Sequence, residues 1–183
     1  MRKAERDMLI AVGKINMIWD EIDLLLWYEF DVLLNVHWSM SYSIFYSQQN
    51  SRNRREMILS LANIVLMNAP DDMKVLEALL KRVDKAASKR NDLTHGIWTS
   101  RKEGRQIKIQ RIPIKRDART MPVKVIELPE LEATHHQLLV LHADIHRHVQ
   151  SKFALKNDSG KGSGALDIAY EPLPKTSLRK RSD

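Results

Sequence analysis

Apolar residues recur at every third or fourth position in four long segments of the chain, as they do on the buried face of an α-helix. The segments cover about residues 4–38, 52–68, 70–95 and 129–155. The first segment is apolar on more than one side, as expected of a helix that packs against its own core and a second subunit. The pattern predicts a mainly α-helical protein, an antiparallel helical bundle of four main helices.

The apolar period changes after Gly96, a residue type that commonly ends helices. Ile107 and Ile109 alternate with polar residues, and Glu103-Gly104 before them is suited to a tight turn. This alternation predicts a small β-hairpin insertion, at about residues 97–128, before the last helix.

The chain of 183 residues is long enough for one domain and a tail. We expect one helical domain over residues 1–155. Residues 156–183 contain few apolar groups, so they are predicted to form a disordered tail.

The composition excludes several classes of protein. The chain has no cysteine, which excludes disulfides and thiolate metal sites. The charged start, MRKAERDMLI, is unlike a signal peptide, and Asp23, Glu29 and Asp31 interrupt the most apolar run. The sequence also lacks the glycine-rich loops of nucleotide-binding proteins and the serine elbow of hydrolases. We therefore expect a cytoplasmic protein with no membrane partner.

Basic residues are concentrated in one segment. The formal net charge is +7, and residues 101–119 hold eight Lys or Arg against two acids. Such a segment can bind a polyanion, and five residues are candidate RNA-binding positions: Arg101, Lys102, Arg105, Lys108 and Arg111. The alternative is a solvated hairpin whose charges only aid solubility.

The stretch SKRNDLTHGIW, residues 88–98, carries the strongest candidate chemistry. Histidine is an acid or base near neutral pH, and arginine offers donors that match a phosphate. Together they can cleave RNA without a metal, because RNA supplies its own nucleophile, the 2′-OH. Arg90 and His95 would be about 140° apart on a regular helix, so a bend near Gly96 or a two-fold axis is needed to bring them together.

A structural interpretation of the same residues is open as well. A histidine just before a glycine at a helix end often caps the last carbonyl groups, and an arginine in the last turn suits the helix dipole. The catalytic interpretation requires both side chains to line an open, basic cleft.

The motif resembles a known family. RNDLTH is similar to the arginine–histidine signature of the HEPN superfamily, including the polar Asn91 after the arginine. RNDLTHGIW resembles the longer form, ending in Gly-x-Trp, of a group of small bacterial HEPN-like proteins. The stretch VGKINMIWDEIDLLL is similar to the first helix of the family, with an acid at Asp20 or Glu21. The resemblance covers about residues 5–155.

The resemblance implies a helical bundle, often a homodimer, with the motif in a cleft at or near the subunit interface. Many members are metal-independent ribonucleases in toxin–antitoxin or phage-defence systems, and they need no cofactor. By position, Arg90 would hold the phosphate, Asn91 would orient the phosphate or the histidine, and His95 would be the acid or base. RNA, a second copy and a cognate antitoxin are the implied partners. Other members are inactive, so a non-catalytic dimerisation or adaptor module is the alternative.

A histidine-rich last helix raises a second alternative. His142 and His146 are four positions apart, a spacing that can chelate zinc on one helical face, and His135 is seven residues before His142. The sequence has no HExxH motif, so a polar helix face is the simpler interpretation and no metal site is assigned.

Overall fold

A computed structural model of the chain describes residues 3–94, 96–103, 106–113 and 124–158. These residues form five helices: α1 (Lys3–Leu34), α2 (Trp38–Ser47), α3 (Ser51–Val65), α4 (Pro70–Thr94) and α5 (Leu128–Asp158). The strands between α4 and α5 are β1 (Gly96–Glu103), β2 (Gln106–Pro113) and β3 (Lys124–Val125). The prediction of a mainly helical protein is confirmed.

The first predicted helix, at about residues 4–38, ends at Leu34 in the structure, and a further helix, α2, begins at Trp38. Asn35 has a positive φ of 51°, a left-handed conformation that interrupts α1 after Leu34. The ring of His37 then accepts a hydrogen bond from the amide of Ser39, which caps the start of α2. The predicted limit at Trp38 is therefore wrong, because Trp38 is the first residue of α2.

The core is built around α1. Its most buried side chains recur at helical spacing and include Ile15 and Ile22. They pack with apolar residues of the other helices, such as Phe45, Ile58 and Leu131. These are contacts that a helix apolar on several sides requires.

The helices that flank the core run in both directions. Along α1 and α5, Glu21 lies 3.4 Å from His142 and Glu29 lies 3.5 Å from His148. The residue numbers of the two helices rise together, so α1 and α5 are parallel. The prediction of an antiparallel arrangement is therefore wrong for this pair of helices.

Helices α4 and α5 are antiparallel. Arg82 pairs with Asp144 at 2.7 Å, and Lys89 donates to the side chain of Gln137 at 3.3 Å. Here the residue numbers of one helix rise as those of the other fall. Helix α4 therefore brings its carboxyl-terminal end towards the amino-terminal half of α5.

The three strands form an antiparallel sheet in the order β1-β2-β3. The first pair is in register from Gly96 opposite Pro113 to Glu103 opposite Gln106. Gln110 of β2 lies opposite Val125 of β3. The first strand begins two residues after α4 ends, so this sheet starts beside the RNDLTH motif.

None of the helices in the described part of the chain combines the length and apolar character that crossing a lipid bilayer demands.

Candidate functional site

A cleft of about 490 Å³ lies where α1, the start of α3 and the end of α4 meet. It is lined by side chains from these three helices and from the short connection before α3: Trp19, Asp20, Asp23, Gln49, Asn50, Ser51, Arg54, Arg90 and Asn91. Two of the three predicted catalytic residues, Arg90 and Asn91, are therefore in this cleft.

Arg90 is half-buried in the last turns of α4. Its Nη1 donates to the Oδ1 atom of Asn91 at 3.3 Å. Its buried Nε atom has no hydrogen-bond partner among the described residues. A buried donor without an acceptor is costly to the folded state.

Local packing holds the end of α4 in place. Leu93 is buried, and the hydroxyl of Thr94 donates to the carbonyl oxygen of Arg90 at 3.0 Å. The buried side chain of Leu93 anchors the last turn to the core, and α4 continues through Arg90 and Asn91 to Thr94. Arg90 therefore enters the cleft from an ordered helical turn.

Arg54 is the second guanidinium of the cleft, and its contacts fix its orientation. Its Nη1 donates to the carboxylate of Asp23, and its Nε donates to the carbonyl oxygen of Gln48 at 2.8 Å. The guanidinium carbon lies 5.5 Å from the ring centre of Phe45 and 5.0 Å from that of Tyr46. These distances are typical of cation–π contacts.

The carboxylates give the cleft a mixed charge. Burial raises the pKa of Asp23 above its ordinary value, and the charge of Arg54 opposes this effect. Burial, helped by the charge of Asp23, raises the pKa of Tyr46 to about 12, so the phenol is neutral at physiological pH. Because Asp20 and Asp23 face Arg54 and Arg90 in one lining, the cleft is open but not uniformly basic.

The structure describes four of the six other predicted site residues, and these four belong to β1 and β2. His95 is outside the described residues, and so is Arg105. The backbones of Arg101 and Lys108 lie opposite each other in the β1–β2 register. Lys102 and Arg111 also lie in these strands.

Sequence reasoning missed the pair of Arg54 and Asp23. Asp23 attracts attention in the sequence only because it interrupts an apolar run, and Arg54 only as part of a small basic cluster at residues 52–55. The two residues are 31 positions apart, so no local spacing connects them. Their pairing results from the packing of α3 against α1.

His142 and His148 of α5 lie at its seam with α1, beside Glu21 and Glu29. The rings of His142 and His146 are stacked, with centroids 6.1 Å apart, and His142 lies near Glu21. Burial lowers the pKa of His142, and the charge of Glu21 opposes this effect. In the described part of the chain, no group of three or more His, Asp or Glu side chains is arranged to hold a metal ion.

Comparisons with protein-family models, with curated proteins and with solved structures give no significant match. The functional assignment therefore rests on the residues of this chain.

Proposed function

We propose that the chain is a metal-independent endoribonuclease of HEPN type, a toxin or phage-defence protein that uses Arg90, Asn91 and His95. One observation carries the proposal. Arg90 and Asn91 line an open cleft, and the guanidinium of Arg90 bonds to Asn91 and to no carboxylate among the described residues. A phosphate in the cleft would supply the missing negative charge.

The proposed reaction needs three functions. The 2′-OH of RNA loses its proton to a base and attacks the adjacent phosphorus, while an acid gives a proton to the departing 5′ oxygen. The products are a 2′,3′-cyclic phosphate and a 5′-OH end. His95 acts as base or acid, and Arg90 stabilises the negative charge that grows on the phosphate.

The cleft residues support this division of roles. The cleft volume, about 490 Å³, is within the usual range for small-molecule sites. The side-chain oxygen of Asn91 accepts from Nη1 of Arg90, and both residues line the cleft, so this bond would restrict the orientation of the guanidinium there. Asn91 is then a positioning residue for Arg90.

The basic strands supply the RNA-binding part of the proposal. Arg101, Lys102, Arg105, Lys108 and Arg111 would bind successive phosphates next to the motif. The β1–β2 register supports this role for Arg101 and Lys108, because it puts two basic positions side by side.

A second copy of the chain and a cognate antitoxin belong to the same proposal. Helix α1 exposes Ile10, Met17 and Leu24, which are seven positions apart and form a stripe along one face. Asp20, on the same helix, lines the cleft. A dimer that buries this stripe would bring the second copy near the candidate catalytic residues.

The test is an RNA-cleavage assay in EDTA. We expect the wild-type protein to leave cyclic-phosphate ends, and Arg90→Ala and His95→Ala each to lower the rate by about 100-fold or more. Arg52→Ala is the matched control, because Arg52 is exposed outside the cleft and pairs only with Glu56 among the described residues. Cleavage that persists in His95→Ala, or that requires a metal, contradicts the proposal.

The second candidate is a non-catalytic dimerisation or adaptor module. The presence of Asp20 and Asp23 in the cleft favours it, since carboxylates repel a polyanion. In this case Arg90→Ala changes no RNA-cleavage rate but weakens self-association or partner binding. Sedimentation velocity of the same variants distinguishes the two candidates.

A further inference from the structure

A second groove, of about 580 Å³, lies between α4 and α5. Lys89 lines this groove and Asn91 lines the candidate catalytic cleft. The two residues are two positions apart on α4, which is a rotation of about 200°. The groove and the cleft are therefore on different sides of α4, and the groove has no part in the proposed cleavage.

The floor of the groove is apolar. Ala86 of α4 and Leu138 and Leu141 of α5 form its base, and Val140 at its side is 45% exposed. Polar links hold the two helices together here: Arg82 pairs with Asp144, and Lys89 bonds to Gln137. Leu138 and Leu141 are themselves buried, so the exposed apolar surface of the groove comes mainly from Val140, beside the half-buried Ala86.

One rim of the groove is a row of cations. Arg82, Lys85 and Lys89 follow each other at intervals of three and four along α4, so they lie in a row about 10 Å long. Of the three, only Arg82 has a carboxylate partner among the described residues. No Asp or Glu lines the groove. Two uncompensated cations therefore border an apolar floor.

We propose that this groove binds an amphipathic helix of a partner protein, with apolar residues three and four positions apart and Asp or Glu at the flanking positions. Such a helix would pack on two antiparallel helices as a third, through its apolar face. Two acids four positions apart would match the spacing of Lys85 and Lys89. RNA fits this groove less well, because the lining contains no Phe, Tyr or Trp for base stacking and its floor is aliphatic.

The experiment uses the full chain and two synthetic, fluorescently labelled 16-residue helical peptides. One carries leucine at every third and fourth position with flanking glutamates, and the other carries lysine in place of each glutamate. We expect the acidic peptide to bind the wild-type protein, measured by fluorescence anisotropy. The double variant K85E/K89E should weaken this binding at least tenfold and should gain affinity for the basic peptide.

The matched control is K74E/K81E, which makes the same change in net charge on exposed positions of α4 outside the groove. Val140→Asn tests the exposed apolar side of the groove, and it should weaken binding of the acidic peptide without a change in charge. Circular dichroism confirms that each variant is folded.

Three results would overturn the proposal. Equal losses of affinity for the acidic peptide in K85E/K89E and K74E/K81E would show that net charge alone, and not the groove, causes the effect. If K85E/K89E lost binding to oligouridine but bound the acidic peptide as the wild type does, the groove would be a nucleic-acid-binding surface. Absence of binding by the acidic peptide at millimolar concentration would exclude a helix of this chemistry.

Discussion

Asp31 is 6% exposed, near the carboxyl end of α1. A buried carboxylate needs hydrogen-bond donors, because its removal from water is costly. The buried hydroxyl of Ser41 in α2 donates to it across the turn that separates the two helices. This bond therefore fixes α2 against the end of α1.

Ser41→Ala should lower the free energy of unfolding by about 1–3 kcal/mol, since it removes a donor from a buried charged group. Urea denaturation measures the change. Ser43→Ala is the control, because Ser43 is exposed and bonds to the carbonyl oxygen of Ser39, and it should change stability by less than about 0.5 kcal/mol. Similar losses in both variants would argue against a special role of the Ser41–Asp31 bond.

Single residues also mark how far the candidate site can be predicted. Arg90 and Asn91 could be selected from the sequence because their motif is local. The Arg54–Asp23 pair could not, because it depends on which face of α3 meets α1. The role of His95 stays a prediction.

Helix α1 shows how a helix apolar on several sides divides its residues. Ile22 is fully buried and Leu24, two positions later, is 38% exposed. Two positions correspond to a rotation of about 200°, so the neighbours point in nearly opposite directions. The buried side contributes to the core, and the other side is exposed.

Ile22→Ala should destabilise the protein by about 2–5 kcal/mol, the usual cost of a cavity in a packed core. Leu24→Ala should cost much less in the monomer, because its side chain is partly solvated. Thermal and urea unfolding at low protein concentration compare the two variants. A larger loss for Leu24→Ala would mean that its face is already buried in a stable oligomer.

The apolar period predicts where the chain forms helices. It does not predict the direction in which each helix runs in the bundle. The periodicity identifies which face of a helix is buried, but not which other helix packs against that face. For this reason the parallel arrangement of α1 and α5, visible in the pairs Glu21–His142 and Glu29–His148, differs from the expected antiparallel bundle. The left-handed residue Asn35, which divides the first segment, carries only a weak signal in the sequence.

On the scale of the whole molecule, the seam between α1 and α5 makes stability depend on pH. Burial lowers the pKa of His142 and of His135 below their ordinary value of 6.5. Glu21 and His146 face His142 and act on it in opposite directions. In acid, the unfolded chain therefore takes up protons at these histidines before the folded protein does.

The free energy of unfolding should be highest above about pH 6.5 and should fall as the pH drops through that value, since both histidines have lowered pKa values in the folded protein. Urea denaturation between pH 7.5 and pH 5 measures the slope. His142→Gln should flatten it. Burial raises the pKa of Asp23, and this shift makes the folded protein more stable as the pH falls. Asp23 is present in both the wild type and His142→Gln, so the difference between their slopes reports the contribution of His142. An unchanged slope in His142→Gln would contradict this account.

Because α1 and α5 run side by side in the same direction, the start of α1 and the end of α5 are at opposite ends of the bundle. A helix of 31 residues is about 46 Å long, so a peptide that joined these two points would need at least about 14 extended residues. A connection of fewer residues between Lys3 and Asp158 is therefore excluded by geometry. A pair of dyes attached at Lys3 and Asp158 would instead report, by energy transfer, any loss of the alignment between the first and last helices.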